Sequence, residues 1–238
     1  MDGRMHRGGP FRQIIYFPYG GLSAFILFMI LMFLIIMLFS GLVGYALARA
    51  GIPRIAIPVI FFFELVMSSV NIPIYRIRSY AEKVEYEYVW FMGMVYRIPK
   101  YVYAPNVITV AINVGGAVIP TLLSIYLILK NMYILPHFII AIILVSIFTY
   151  LVSKPVPGLG IVTPAFIPPL ITAIVSFIVY PLNPAPIAFT AGTIGTLLGA
   201  DIYRLNQINK LKANFVSIGG AGIFDGIFLS GVIATLLI

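Results

Sequence analysis

Cysteine is absent from this chain of 238 residues. That excludes a disulfide framework, a thiol nucleophile and a thiolate metal site. Histidine is almost absent as well, with only His6 and His137. His6 sits in a Gly/Arg-rich N-terminal tail, and His137 follows Pro136 at an expected helix start, where it reads as an interfacial residue. Two separated imidazoles without thiols make no zinc set, so neither metal nor other cofactor is expected. Charge is scarce, at 9% of residues, and only seven of those residues are acidic.

Apolar sequence is abundant instead. Hydrophobic residues make up 61% of the chain, and the mean hydropathy is +1.07. No soluble domain has that composition. A bilayer core about 30 Å thick needs about 20 helical residues to cross it. Seven apolar runs approach or exceed that length: 21–48, 53–75, 106–129, 135–152, 163–181, 185–203 and 216–238. The fold expected is therefore an all-α polytopic membrane protein with seven spans. It has a basic tail (1–20) and one transmembrane domain (21–238). The first run is too long for a signal-peptide core and lacks a small-residue cleavage site, so it reads as a retained span.

The net charge of +8 follows membrane topology and does not require nucleic acid. With the N-terminus in the cytoplasm and the spans alternating, twelve of the basic residues fall inside. They are Arg4, Arg7, Arg12, Arg76, Arg78, Lys83, Arg97, Lys100, Lys154, Arg204, Lys210 and Lys212; only Arg49, Arg54 and Lys130 fall outside. This bias predicts a multi-pass cell-membrane protein, N-in and C-out.

The one sizeable extramembrane stretch is 76–106. Val84, Tyr86, Tyr88 and Trp90 alternate with Glu85, Glu87, Val89 and Phe91, and Val95, Ile98, Tyr101 and Tyr103 follow Gly93. Period-two aromatic and β-branched residues around a glycine predict a β-hairpin on the cytoplasmic side. Pro99 makes its second arm an edge or interrupts it. Such a hairpin either lies on the membrane face with its aromatics at headgroup level or offers an edge to an extended peptide.

In the third run, Asn106, Thr109, Asn113, Gly116 and Pro120 recur at helical spacing and predict a polar stripe facing the bundle interior. Gly115, Gly116 and Pro120 also permit a mid-membrane break. Prolines and glycines from 155 to 164 predict a loop, followed by a helix kinked near Pro168 and Pro169. Ala191, Gly195 and Gly199 form a small-xxx-small face, with Gly222 and Gly226 as a possible counterpart.

Only Glu64, Asp201 and Asp225 are acids within the runs. An intramembrane carboxylate costs about 2.5 kcal/mol or more and marks a functional site by default. Glu64 is isolated and mid-run, and reads as a neutral carboxyl hydrogen-bonded within the bundle. Asp201 precedes Arg204 by one turn, so it either pairs with that arginine or acts chemically. Asp225 lies in "GGAGIFDGIFLSG" (219–231), where Gly222 and Gly226 let backbone approach it. Two carboxyls on adjacent spans can share one proton, one acting as base on a water while the other polarises a carbonyl.

Four stretches resemble an uncharacterised prokaryotic membrane family, domain of unknown function 1614. They are "SSVNIPIY" (68–75), "AINVGGAVIP" (111–120), "TPAFIPPL" with "GTIGTLLGAD" (within 163–201), and "GGAGIFDGIFLSG". That resemblance implies no activity. A looser, topological one is to presenilin-like intramembrane aspartyl proteases, which carry one aspartate on a sixth span and one on a seventh. Here Gly222-Ile223-Phe224-Asp225 stands where those proteases have Gly-x-Gly-Asp. The resemblance implies a dyad of Asp201 and Asp225, with Pro164, Ala165, Gly199, Gly222 and Gly226 around a membrane-bound peptide. Membrane lipids are the other expected partner. The alternative is a proton- or cation-coupled transporter or channel using Glu64, Asp201 and Asp225, with Asn113 as a further polar candidate.

Overall fold

The computed structural model describes residues 21–91, 94–157, 160–211, 213–220 and 226–238. The chain divides into two compact units, Met1–Gly41 and Leu42–Ile238. The described part of the first unit is the start of α1 (Gly21–Ala50). Its side chains from Phe25 to Leu38 are exposed and almost all apolar, as a helix surrounded by lipid requires. Within the second unit, the end of α1 buries Val43, Ala46, Leu47 and Ala50.

Three helical stretches are long and apolar enough to cross a membrane: 23–50, 132–152 and 185–208. They correspond to the first, fourth and sixth apolar runs. The other four runs form shorter apolar helices among the described residues, so three of the seven expected spans have full length there. The short helices cover 57–67, 114–130, 167–179 and 226–237.

Most of the shortening comes from strands. The second run forms α2 (Ile57–Met67) and then enters β1 (Asn71–Phe91). The third begins as the end of β2 (Met94–Asn113), passes through a π-helical turn (Val114–Val118) and becomes α3 (Ile119–Lys130). The seventh begins as β5 (Phe215–Ile218) and resumes as α7 (Gly226–Leu237). The strand segments "VITVAI" and "FVSI" are rich in β-branched residues, which suit a pleated surface better than a helix. The polar stripe expected from Asn106 to Pro120 is therefore no helix face, because its first half is strand.

β1 and β2 pair antiparallel from Asn71↔Asn113 to Phe91↔Met94, and β5 adds parallel to β2 at Thr109–Ile112. The hairpin is thus longer at its base than 76–106. Pro99 stays in register opposite Tyr86, and the one irregularity falls between Pro73 and Tyr75. Beyond Thr109 toward the tip, β2 pairs with β1 alone among the described strands. That makes it an edge, and an edge tolerates a proline.

At the sheet's inner end, Asn113 ties three elements together. Its Nδ2 donates to the Ser68 carbonyl at 2.6 Å and to Asn71 Oδ1 at 3.1 Å. Its Oδ1 accepts the Gly116 N–H at 2.6 Å, which caps the π turn. Ser217 Oγ of β5 donates to the same Asn71 Oδ1. The break that Gly115 and Gly116 permitted is real, and a side chain fills the hydrogen-bonding gap that it opens.

The remaining helices pack around the sixth run. α4 (Leu135–Val152) is followed by the short hairpin β3 (Lys154–Val156) and β4 (Gly160–Val162), then α5 (Ile167–Val179). Pro168 and Pro169 lie in the first turn of α5, where a missing N–H costs nothing, so they start the helix and do not kink it. α6 (Ala185–Thr190) continues through two π turns, Ala191–Gly195 and Leu197–Asp201, into a 3₁₀ segment, Ile202–Leu211. Phe138, Ala141 and Val145 of α4, Val175 of α5, and Ile187 and Ala191 form one buried core. A second joins Ile108 and Val110 of β2, Ile218 of β5, and Ile208.

The small-residue face expected on the sixth run meets α4. A Cβ at Gly195 would lie 2.8 Å from Val145, and one at Gly199 would run into Ser146, Thr149 and the Tyr150 backbone. Gly226 has open space, and Gly222 lies outside the described residues. The close approach to α7 is made by Gly192 against Gly231. Replacing Gly199 by Val is expected to cost about 1–3 kcal/mol, seen as a lower thermal midpoint of the purified protein in detergent. A midpoint matching wild type would contradict the packing. Asn113→Leu strands the Ser68 carbonyl and the Gly116 N–H at roughly 1–3 kcal/mol per buried group. It should lower the same midpoint, and an unchanged value would show that the Asn113 contacts contribute little.

Candidate functional site

Asp201 ends the second π turn of the sixth run. Such wide turns aim side chains where a regular helix would not, and they recur at functional sites. Its carboxylate Oδ2 accepts the backbone N–H of Gly219 at 2.7 Å. Gly219 follows directly on β5 and has φ +84°; Gly220 beside it has φ +79°. Both lie in the left-handed region that side chains rarely adopt. A Cβ on Gly219 would also lie 2.5 Å from Ala117 Cβ. Gly219 is therefore wedged between the α3 entry turn and the carboxylate, and no other residue fits there without a shift.

Asp201 does not pair with Arg204. The Arg204 guanidinium turns to the end of α4, donating to the carbonyls of Tyr150 and Ser153, and lies 4.4 Å from the centroid of the Tyr150 ring. A cation at a helix C-terminus is favourably placed there. Among the described residues the one ion pair is Lys100–Glu87, in the hairpin. Arg204 thus fixes the stretch that follows Asp201 without neutralising it.

Asp201 borders a cavity of about 350 Å³. Pro164 and Ala165 line it, as do Thr196, the β5 residues Phe215–Ile218, Gly220 and Gly226. Thr196 Oγ1 also donates to Ser230 Oγ of α7 at 3.2 Å. Of the residues anticipated around Asp201, the structure therefore brings Pro164, Ala165 and Gly226 to it. Gly199 is not among the lining residues, because it is spent on packing against α4. Asp225 and Gly222 lie outside the described residues, but Gly220 and Gly226 on either side of them both border the cavity.

Glu64 is buried on α2 and is not among the residues lining this cavity. Asn113 belongs to the sheet-end network. His137 packs its ring 5.0 Å from that of Tyr180, also away from the cavity lining, and His6 lies outside the described residues. No three His, Asp or Glu side chains among the described residues come together as metal ligands. The contribution of β5 and of the Gly219 N–H was not anticipated. Two signals in the sequence pointed to them: the β-branched "FVSI" and the glycine doublet that ends it.

A family model described as "Protein of unknown function (DUF1614)" matches residues 65–237. No curated protein and no solved structure matches the chain. The match begins near the end of α2 and takes in the hairpin, the Asp201 cavity and all of α7. On that coverage, the chain belongs to the DUF1614 family of proteins of unknown function.

Proposed function

We propose that this protein is an intramembrane aspartyl protease whose dyad is Asp201 and Asp225. The observation that carries the reading is the cavity. It gathers Asp201, the Pro164–Ala165 pair, and Gly220 and Gly226, the described residues nearest Asp225 on each side. β5 lines the same cavity as the last strand of its sheet among the described strands. An open strand edge pairs with extended peptide. In apolar surroundings that pairing also satisfies the backbone groups a substrate helix frees when it unwinds.

In this reading one carboxylate takes a proton from a water while the other, protonated, hydrogen-bonds to the scissile carbonyl. The water oxygen bonds to the carbonyl carbon and the carbonyl oxygen receives the second carboxyl's proton. The first carboxyl then passes its proton to the amide nitrogen as the C–N bond breaks, while a hydroxyl of the diol returns its proton to the second carboxylate as the acid forms. Acid and amine products result, and the pair is left with one shared proton. The Gly219 N–H would hold Asp201 in place through these steps, and Arg204 would hold the turn that carries it. Cutting would occur toward the cytoplasmic side if the basic residues orient the chain as their distribution suggests.

The interrupted helices favour a second reading. Backbone that departs from regular α-helix at Asn113–Val118 and Gly219–Gly220 is the kind that lines ion paths in transporters. Glu64, Asp201 and Asp225 would then be proton or cation sites.

The test is cleavage of a mixture of transmembrane peptides by the purified protein in lipid vesicles, read by mass spectrometry, with proton flux followed in parallel. Asp201→Asn and Asp225→Asn are each expected to lower product formation at least roughly a hundredfold, the scale of general acid–base catalysis, while keeping the wild-type thermal midpoint. Cleavage that survives both substitutions sinks the dyad. Proton flux that is lost in Glu64→Gln, without any cleavage by wild type, moves the assignment to transport.

A further inference from the structure

The distal hairpin plays no part in the Asp201 cavity, yet it carries the most exposed aromatic surface of the described chain outside the helices. β5 supports only the base of β2, at Thr109–Ile112. From there to the tip the ribbon is two-stranded for about 50 Å, at roughly 3.3 Å per residue. An isolated two-stranded ribbon is marginal in water. Here it also exposes large apolar side chains, and nothing described in the chain covers them.

Register sorts those side chains by face. Residues directly opposite in an antiparallel pair share a face. The pairs Tyr86↔Pro99, Tyr88↔Arg97 and Trp90↔Val95 therefore lie together, with Tyr101 next in line. Trp90 is 73% exposed, Tyr101 71% and Tyr88 67%. The only charge among these pairs is Arg97, whose guanidinium lies 3.7 Å from the centroid of the Tyr86 ring. The opposite face carries Glu85, Glu87 and Lys100, the last two joined at 3.2 Å.

We propose that the Tyr86–Tyr88–Trp90 face of this hairpin is a lipid-binding surface, lying in the headgroup layer of the bilayer that the chain's apolar helices occupy. Three observations favour lipid over a protein partner. Tyrosine and tryptophan with an arginine, rather than aliphatic side chains, is the composition of a membrane–water interface, where rings sit at the apolar boundary and polar tips stay wet. The lone charge among these three pairs is a guanidinium, which forks onto phosphate. Across residues 85–90 the carboxylates, Glu85 and Glu87, lie on the reverse face, so this part of the ribbon can rest on phospholipid without desolvating an acid. The proposal is independent of what the Asp201 cavity does.

Trp90 is the only tryptophan in the chain, so intrinsic fluorescence reports this face alone. The full chain would be reconstituted in vesicles of phosphatidylcholine and phosphatidylglycerol. It would then be titrated separately with water-borne acrylamide and with lipid brominated near the headgroup end of its acyl chains. The expected result is blue-shifted emission, roughly halved or more by the brominated lipid, with acrylamide quenching several-fold weaker than for free tryptophan, as an interfacial ring requires. Tyr88→Asp should restore acrylamide access, whereas Glu87→Gln on the other face should not. Quenching by acrylamide with no response to brominated lipid would overturn the proposal by placing the ribbon in water. Shielding from both quenchers would overturn it too, by showing that protein covers the face.

Discussion

The amide of Asn113 holds the point at which this molecule stops being helical. A backbone in apolar surroundings must satisfy its own N–H and C=O groups, and regular helix does so automatically. Between Ser68 and Asn71 the second unit switches from that solution to a strand, at Asn113 it switches back, and at Ile218 β5 ends. Each switch leaves backbone groups to be satisfied. Asn113 serves the Ser68 carbonyl and the Gly116 N–H from a single side chain and reaches Asn71, on which Ser217 of β5 also converges. The three-stranded base of the hairpin, the entry of α3 and the placement of β5 all rest on those few bonds.

Asp201 closes the arrangement from the other direction. Its carboxylate binds the N–H of Gly219, the residue that follows β5, and so joins the π-turned helix to the end of the sheet. A single acid thus has two attachments: a backbone bond that positions it and a cavity that leaves it accessible. Arg204, the cation nearest in sequence, is occupied by the end of α4 and leaves the carboxylate's charge uncompensated by an ion pair. Functional sites commonly combine such a fixed polar group with close, strained backbone, and the positive φ of Gly219 and Gly220 is that strain relieved by glycine.

Much of this was legible beforehand. Composition alone pointed to helices long and apolar enough to cross a membrane, and three of them are found among the described residues. The alternation of Tyr86, Tyr88 and Trp90 with Glu85 and Glu87 located the hairpin, and Pro164–Ala165 was associated with Asp201 before any geometry was known. What the sequence hid has one physical cause. Short β-branched runs such as "VITVAI" and "FVSI" have the same hydropathy as the helices they abut, so a buried strand and a buried helix look alike until their partners are known. The hairpin base and the first part of the last run were hidden in this way. The glycines posed a different problem: spacing showed that Gly195 and Gly199 pack closely, but not that α4 is what they pack against.

The two π turns before Asp201 have a consequence for how this protein can tolerate change in length. A π turn closes its hydrogen bond one residue later than an α turn, and each residue advances a helix by about 100°. Each π turn holds one residue more than an α turn, so loss of one residue inside a turn can be absorbed as regular helix, whereas a residue lost or gained in the regular helix of α6 would swing everything beyond it by about that angle. The carboxylate would leave the Gly219 N–H, and Arg204 would leave the end of α4. Along this stretch the number of residues matters as much as their identity, and a change in length is absorbed within the π turns better than in the regular helix before them.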